Sequence, residues 1–118
     1  MNTNIEEKTT QETEKQLKDK YGELYLAGMT IPIDDDHEKE LSYHFKRPSV
    51  SSYDRYIKTA AKVGITKASK AFLLDAVIDE ESERITADME KNPGIAITIG
   101  NKLTETLGLT NTANLKKL

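Results

Sequence analysis

The chain has 118 residues, 36% of them hydrophobic and 31% charged, with a net charge of −3. That suits one domain and gives no overall field that favours nucleic acid or an anionic membrane. Cysteine is absent, which excludes disulfides, thiolate metal sites and a cysteine nucleophile, and fits a reducing cytoplasm.

Residues 1–20 are polar, with Met1, Ile5 and Leu17 as the apolar exceptions. Glu14 and Lys18 pair at i,i+4, but a helix with almost no apolar stripe is not held by a core. The composition predicts a mobile arm, helical only against a partner. No apolar run marks a signal peptide, and no stretch approaches the ~18 apolar residues of a membrane span. The domain proper is expected over residues 21–109. Residues 110–118, which end in Leu-Lys-Lys-Leu, are expected to form a loose tail.

Residues 23–47 read as a β-hairpin. Tyr25, Ala27, Met29, Ile31 and Ile33 alternate with mixed positions, and Leu41, Tyr43 and Phe45 alternate with Ser42, His44 and Lys46. A period of two puts each set on one sheet face. Asp34-Asp-Asp-His-Glu-Lys39 forms the polar loop between them. Pro32 favours a strand end, and Gly28 is a candidate bulge. A two-stranded hairpin is marginal alone, so its apolar face should lie on helices.

Four helical segments follow. Over 49–64 a serine caps the start and Gly64 ends the helix. Tyr53, Tyr56, Ile57 and Ala60 share one face by the i, i+3, i+4, i+7 rule, with Lys58 and Lys62 off it. The segment 66–78, capped by Thr66, is apolar on both sides and should be central. An acidic helix over 80–91 is capped by Asp79 and turns Ile85 and Met89 inward. Asn92-Pro93 then opens a helix in which Ile95, Ile99, Leu103 and Leu107 recur every four residues up to Gly108. Ile95, Ile97 and Ile99 also alternate as a strand would, but the cap and the continuation to Leu107 favour helix. The fold class read from these elements is α+β, mainly α: a β-hairpin packed on a bundle of about four helices.

Charges segregate along the chain. Residues 46–70 carry seven bases and one acid, and residues 75–90 carry seven acids and one base. Asp34-Asp35-Asp36-His37-Glu38 lacks the turn glycine and alternate spacing of a calcium loop, so it reads as a solvated loop. His37 and His44 are the two imidazoles, too few for zinc without thiolates, and His44 falls on the polar strand face. No nucleophile elbow, phosphate loop or dinucleotide fingerprint occurs, so neither an enzyme nor a cofactor is implied. One rival reading is DNA binding. Ala60 followed four residues later by Gly64 has helix–turn–helix spacing, with Lys62, Lys67 and Lys70 near phosphates. Against it, Lys70 falls where that motif wants a buried apolar residue, and Ala-Phe-Leu-Leu offers little to read base edges.

The central run Phe45-Lys-Arg-Pro48, Tyr53-Asp-Arg55-Tyr56 and Lys70-Ala-Phe-Leu-Leu74 leads through an acidic helix to Asn92-Pro-Gly94 and Leu107-Gly-Leu109. In order and spacing, over about residues 22–115, it resembles the small tail assembly chaperones of long-tailed bacteriophages and of prophages in Gram-positive hosts. The resemblance implies a non-enzymatic protein of the host cytoplasm, absent from the finished virion. Its partners would be the tape measure protein, which it keeps soluble, and the tail tube protein, whose subunits it helps recruit. Rings or spirals of copies are compatible with it, and a membrane partner is not implied. Many such proteins also occur in a longer frameshifted form, and Lys116-Lys117 would suit a slippery run. For the partner surface the candidates are Tyr25, Met29, Tyr53, Tyr56 and Phe72, because aromatics and Met give large adaptable contact area. The alternative for Tyr56 and Phe72 is simple core packing.

Overall fold

A computed structural model describes residues 13–108 and 115–118. Strands β1 (Leu24–Pro32) and β2 (Glu38–Lys46) form an antiparallel hairpin. The pairing runs one-to-one from Leu24↔Lys46 to Pro32↔Glu38, so no bulge occurs at Gly28. Glycine there instead allows a flat, close pairing, because a Cβ would lie 3.3 Å from the Leu41 carbonyl oxygen. Leu41, Tyr43 and Phe45 are buried, with half-buried Ala27, Met29 and Ile31 beside them on the same face. The loop closes through Ile33 N donating to His37 O at 2.9 Å. Within it the Asp34 carboxylate accepts from Asp36 N and from His37 Nδ1, both at 2.8 Å.

Helix α2 (Val50–Val63) starts where Ser49 Oγ accepts from Ser52 N at 3.0 Å. Gly64 ends it, with φ at +109°, and also opens α3 (Ile65–Ala76) without a linker. The expected cap at Thr66 is thus replaced by Gly64, whose carbonyl accepts from Ala68 N at 3.2 Å. Helix α3 is central, as its two apolar sides predicted. It buries Ala68, Ser69, Phe72, Leu73 and Ala76 and packs against α2, α5 and α4. Asp79 does not cap the acidic helix. Asp79–Glu81 is a 3-10 turn that leads into α4 (Ser82–Lys91), where Ile85 and Met89 point inward as expected.

The ambiguity after Pro93 resolves as helix α5 (Gly94–Glu105). Its Ile95, Ile99 and Leu103 are buried, and Gly108, with φ at +77°, follows its end. Gly100 of α5 faces Ser69 of α3 in van der Waals contact, and among the described residues the buried Ser69 hydroxyl has no hydrogen-bond partner. The fold is therefore a mainly helical α+β domain with a hairpin on a helical bundle.

The expected arm differs in its second half. Residues 13–21 form a helix, α1, with Leu17 buried. Lys20 Nζ lies 3.5 Å from Glu80, and the Tyr21 hydroxyl donates to the same carboxylate. One apolar anchor and polar contacts from Glu14, Lys20 and Tyr21 thus hold a helix that lacks a stripe. Residues 1–12 lie outside the described residues, as do 110–114 of the expected tail. Residues 115–118 have no regular structure, and Leu115 and Leu118 are exposed.

Candidate functional site

Helix α2 carries two apolar seams. The inner one, around Ser52 and Tyr56, faces α3. There Tyr56 stacks on Phe72 with ring centroids 4.9 Å apart and planes 21° apart. Tyr53 meets Phe72 edge-on at 6.4 Å and Tyr56 at 6.0 Å. Ser52 Oγ donates to Asp75 at 2.8 Å, and Arg55 lies 3.4 Å from the same carboxylate, which fixes α2 on the end of α3. The second seam is Val50, Tyr53 and Ile57, at i, i+3 and i+7. Val50 is 69% exposed and Ile57 47%. Three more exposed apolar residues sit on the same helical hairpin: Val63 and Ile65 flank Gly64, and Leu74 lies on the outer side of α3. Unpaired apolar seams of this kind are how a helix presents itself to another helix.

A second apolar feature lies between β1 and α5. It is an open groove of about 490 Å³, walled by Tyr25, Leu26, Ala27 and Gly28 on one side and by Ile99, Lys102, Leu103 and Thr106 on the other. Tyr25 donates its hydroxyl to Glu23 at 2.6 Å, and that hydrogen bond is the main cause of its phenol titrating above its ordinary value.

The polar constellation of the molecule joins the hairpin to α4. Glu81 accepts from the His44 backbone N–H at 2.5 Å and from its Nδ1 at 2.9 Å. Arg84 lies 3.4 Å from Glu81, donates to the Ser42 carbonyl at 2.9 Å and covers the Tyr43 ring at 4.5 Å. The Tyr43 hydroxyl donates to Asp88, and burial, reinforced by that bond, keeps the phenol protonated well above its ordinary range. His44 is therefore not a surface residue; Glu81 and α1, whose Glu14 lies 3.6 Å away, cover that strand face. This network has the shape of a clamp: Glu81 and Asp88 each face a donor, while the buried His44 Nε2 has no hydrogen-bond partner among the described residues, with Glu14 3.6 Å away. Among the described residues no group of His, Asp and Glu could hold a metal ion.

The sequence candidates thus separate. Tyr53, Tyr56 and Phe72 come together, but Phe72 is 1% exposed and positions the tyrosines rather than meeting a partner. Tyr25 lines the groove, and Met29 packs against the core from β1. Ile57, grouped by spacing with Tyr53, Tyr56 and Ala60, is half-exposed, because α3 covers α2 from the Ser52–Tyr56 side. Val50 was missed, although its i, i+3, i+7 relation to Tyr53 and Ile57 was present in the sequence. Of the DNA-binding candidates, Lys62 and Lys67 are exposed and Lys70 is half-buried. The helix that would have to enter a groove, α3, is the central one, and its outer side offers Lys67, Ala71 and Leu74.

A family model described as a domain of unknown function, DUF6848, matches residues 17–116, and the chain belongs to that family. The fold is similar to the solved structure of an uncharacterised protein, rbstp2171, from Bacillus stearothermophilus. The two are 26% identical with a TM-score of 0.73, and the match covers 87% of this chain and 99% of that one. No curated protein matches the chain.

Proposed function

We propose that the protein is a non-enzymatic tail assembly chaperone of a phage or prophage. It binds the tape measure protein in the host cytoplasm, keeps it soluble, helps recruit tail tube subunits and is left out of the finished virion. The order of motifs from Phe45 to Leu109 supports this reading, and the observation that carries it is the exposed Val50–Tyr53–Ile57 seam on α2. A long helical client must have its apolar stripe covered one segment at a time, and a seam at helical spacing does that. The flanking Asp54, Arg55 and Lys58 stay in water and keep the complex dissolved. Among the described residues no helix is long and apolar enough to cross a membrane, consistent with a client-binding surface that faces water.

Burying the exposed parts of Val50 and Ile57 against a client contributes about 2–3 kcal/mol, or roughly 30- to 140-fold in affinity. The test is co-expression with a phage tape measure protein, the long helical client proposed for it. The native chain should keep that protein in the soluble fraction, and a Val50→Glu/Ile57→Glu variant, folded by circular dichroism, should not. Equal solubility with both chains would refute the role of the seam.

A further inference from the structure

Among the described residues the hairpin is the whole sheet, so no strand pairs with the outer edge of β1. β2 is less open: Val77 bridges Phe45, and Ile78 N donates to the His44 carbonyl at 3.1 Å. For β1 the described backbone hydrogen bonds run to β2 alone, apart from the loop. Sheet edges that stay monomeric are guarded by charged side chains, bulges or an inserted proline. β1 has none of these along Leu24–Ile31. Its pairing has no bulge, its proline stands at its last position, and from Leu24 to Ile33 there is no charged residue. β2 carries Glu38, Lys39, Glu40 and Lys46 over a similar length. The open edge also borders the groove of about 490 Å³ against α5, which leaves room for a strand alongside.

We infer that this edge pairs with β1 of a second copy, antiparallel and centred on Gly28, to give a four-stranded sheet in the order β2, β1, β1, β2 across a two-fold axis. The strand is self-complementary in that register. Tyr25 opposes Ile31 of the second copy, Ala27 opposes Met29, and Leu26 opposes Thr30, so each face meets its own kind. An isologous contact requires that property. Ala27 beside Met29 sets small against large, and Leu26, 60% exposed in the single chain, gains a cover. The groove rim is electrically balanced, with Lys102 and Glu105 paired at 3.5 Å, so two copies meet without like-charge repulsion. A strand from an unrelated protein would need none of this internal symmetry. The α2 seam is elsewhere, so this inference stands or falls independently of the chaperone reading.

The test is light scattering on the purified full chain. The expected mass is about 27 kDa, twice the 13.3 kDa of one copy. A Leu26→Lys/Thr30→Lys variant sets lysines opposite lysines across the axis, which destabilises a strand pair. It should run as a monomer with the native circular-dichroism spectrum, since both positions are on the exposed strand face, and its melting temperature, unlike the native chain's, should not depend on concentration. Mixing it with a Leu26→Glu/Thr30→Glu variant should restore the dimer mass. For the register, the chain has no cysteine of its own. Leu26→Cys mixed with Thr30→Cys should form a disulfide-linked dimer under mild oxidation, and neither alone should do so efficiently. A native monomer at millimolar concentration would overturn the inference. So would a dimer indifferent to the lysine pair, or cross-linking that ignores the mixing.

Discussion

Replacing Phe72 by alanine is expected to cost about 4–6 kcal/mol, and the structure sets the size of that loss. Phe72 is 1% exposed, and its ring is stacked on Tyr56 and met edge-on by Tyr53. Truncating a buried phenylalanine costs about 3–5 kcal/mol through lost burial and the cavity left behind. Aromatic pairs are worth about 0.5–1.5 kcal/mol each beyond their area, and having two of them places Phe72 at the upper end of that range or just above it. A chain of this size is stable by roughly 6–18 kcal/mol in all, so the variant loses a large share. At about 3–6 °C per kcal/mol, the melting temperature should fall by roughly 12–36 °C. Urea unfolding followed by circular dichroism reads the loss directly. Tyr56→Phe, which keeps the stacked ring, should stay within about 0.5 kcal/mol of the native chain. A loss below about 1 kcal/mol for Phe72→Ala would refute the assignment of Phe72 to the core, and with it the claim that α3 fixes the α2 seam.

Three further outcomes follow from single features. Ser69→Ala removes a buried hydroxyl without a partner and should raise stability by about 1 kcal/mol; a loss in urea unfolding would mean that the hydroxyl is satisfied. Gly64→Ala forces a side chain into a backbone region with φ at +109° and ψ at 160°, and should cost about 1–3 kcal/mol by the same assay. The α1 contact should be confined to a pH window. Its Tyr21 hydrogen bond is the main cause holding the Glu80 carboxyl below its ordinary 4.5, and the same bond is the main cause raising the Tyr21 phenol above its ordinary 10.0. A depressed carboxyl contributes stability above its ordinary value and loses it as pH falls; a raised phenol contributes below its ordinary value and loses it as pH rises. Hydrogen exchange of residues 13–21, corrected for intrinsic rate, should therefore show fullest protection between those values. Protection that is flat across the whole range would contradict the contact.

Elements with a strong local period were legible in the sequence. Leu41, Tyr43 and Phe45 alternate and all three are buried, and Ile95, Ile99 and Leu103 recur at helical spacing and all three are buried. Helix α3 was placed at the centre because it is apolar on two sides, and it packs against three helices. What was not legible depends on contacts far apart in the chain. Glu80 holds Tyr21 across 59 residues, and Glu81 covers His44 across 37. Nothing near Leu17 or His44 announces either partner. The candidate site was half legible for the same reason: α2 was readable as amphipathic, but which edge of its apolar arc stays exposed was decided by where α3 lies. Ile57 therefore parts from Tyr56 and faces outward, with Val50 as its neighbour on the seam.

The measurement closest to the central claim is made on the complex with a tape measure protein, the proposed long helical client. The two should co-elute in size-exclusion chromatography with light scattering, at one fixed ratio, and hydrogen exchange in the complex should slow across residues 50–61 of α2. A client that elutes alone, or protection that leaves α2 unchanged, would contradict the account.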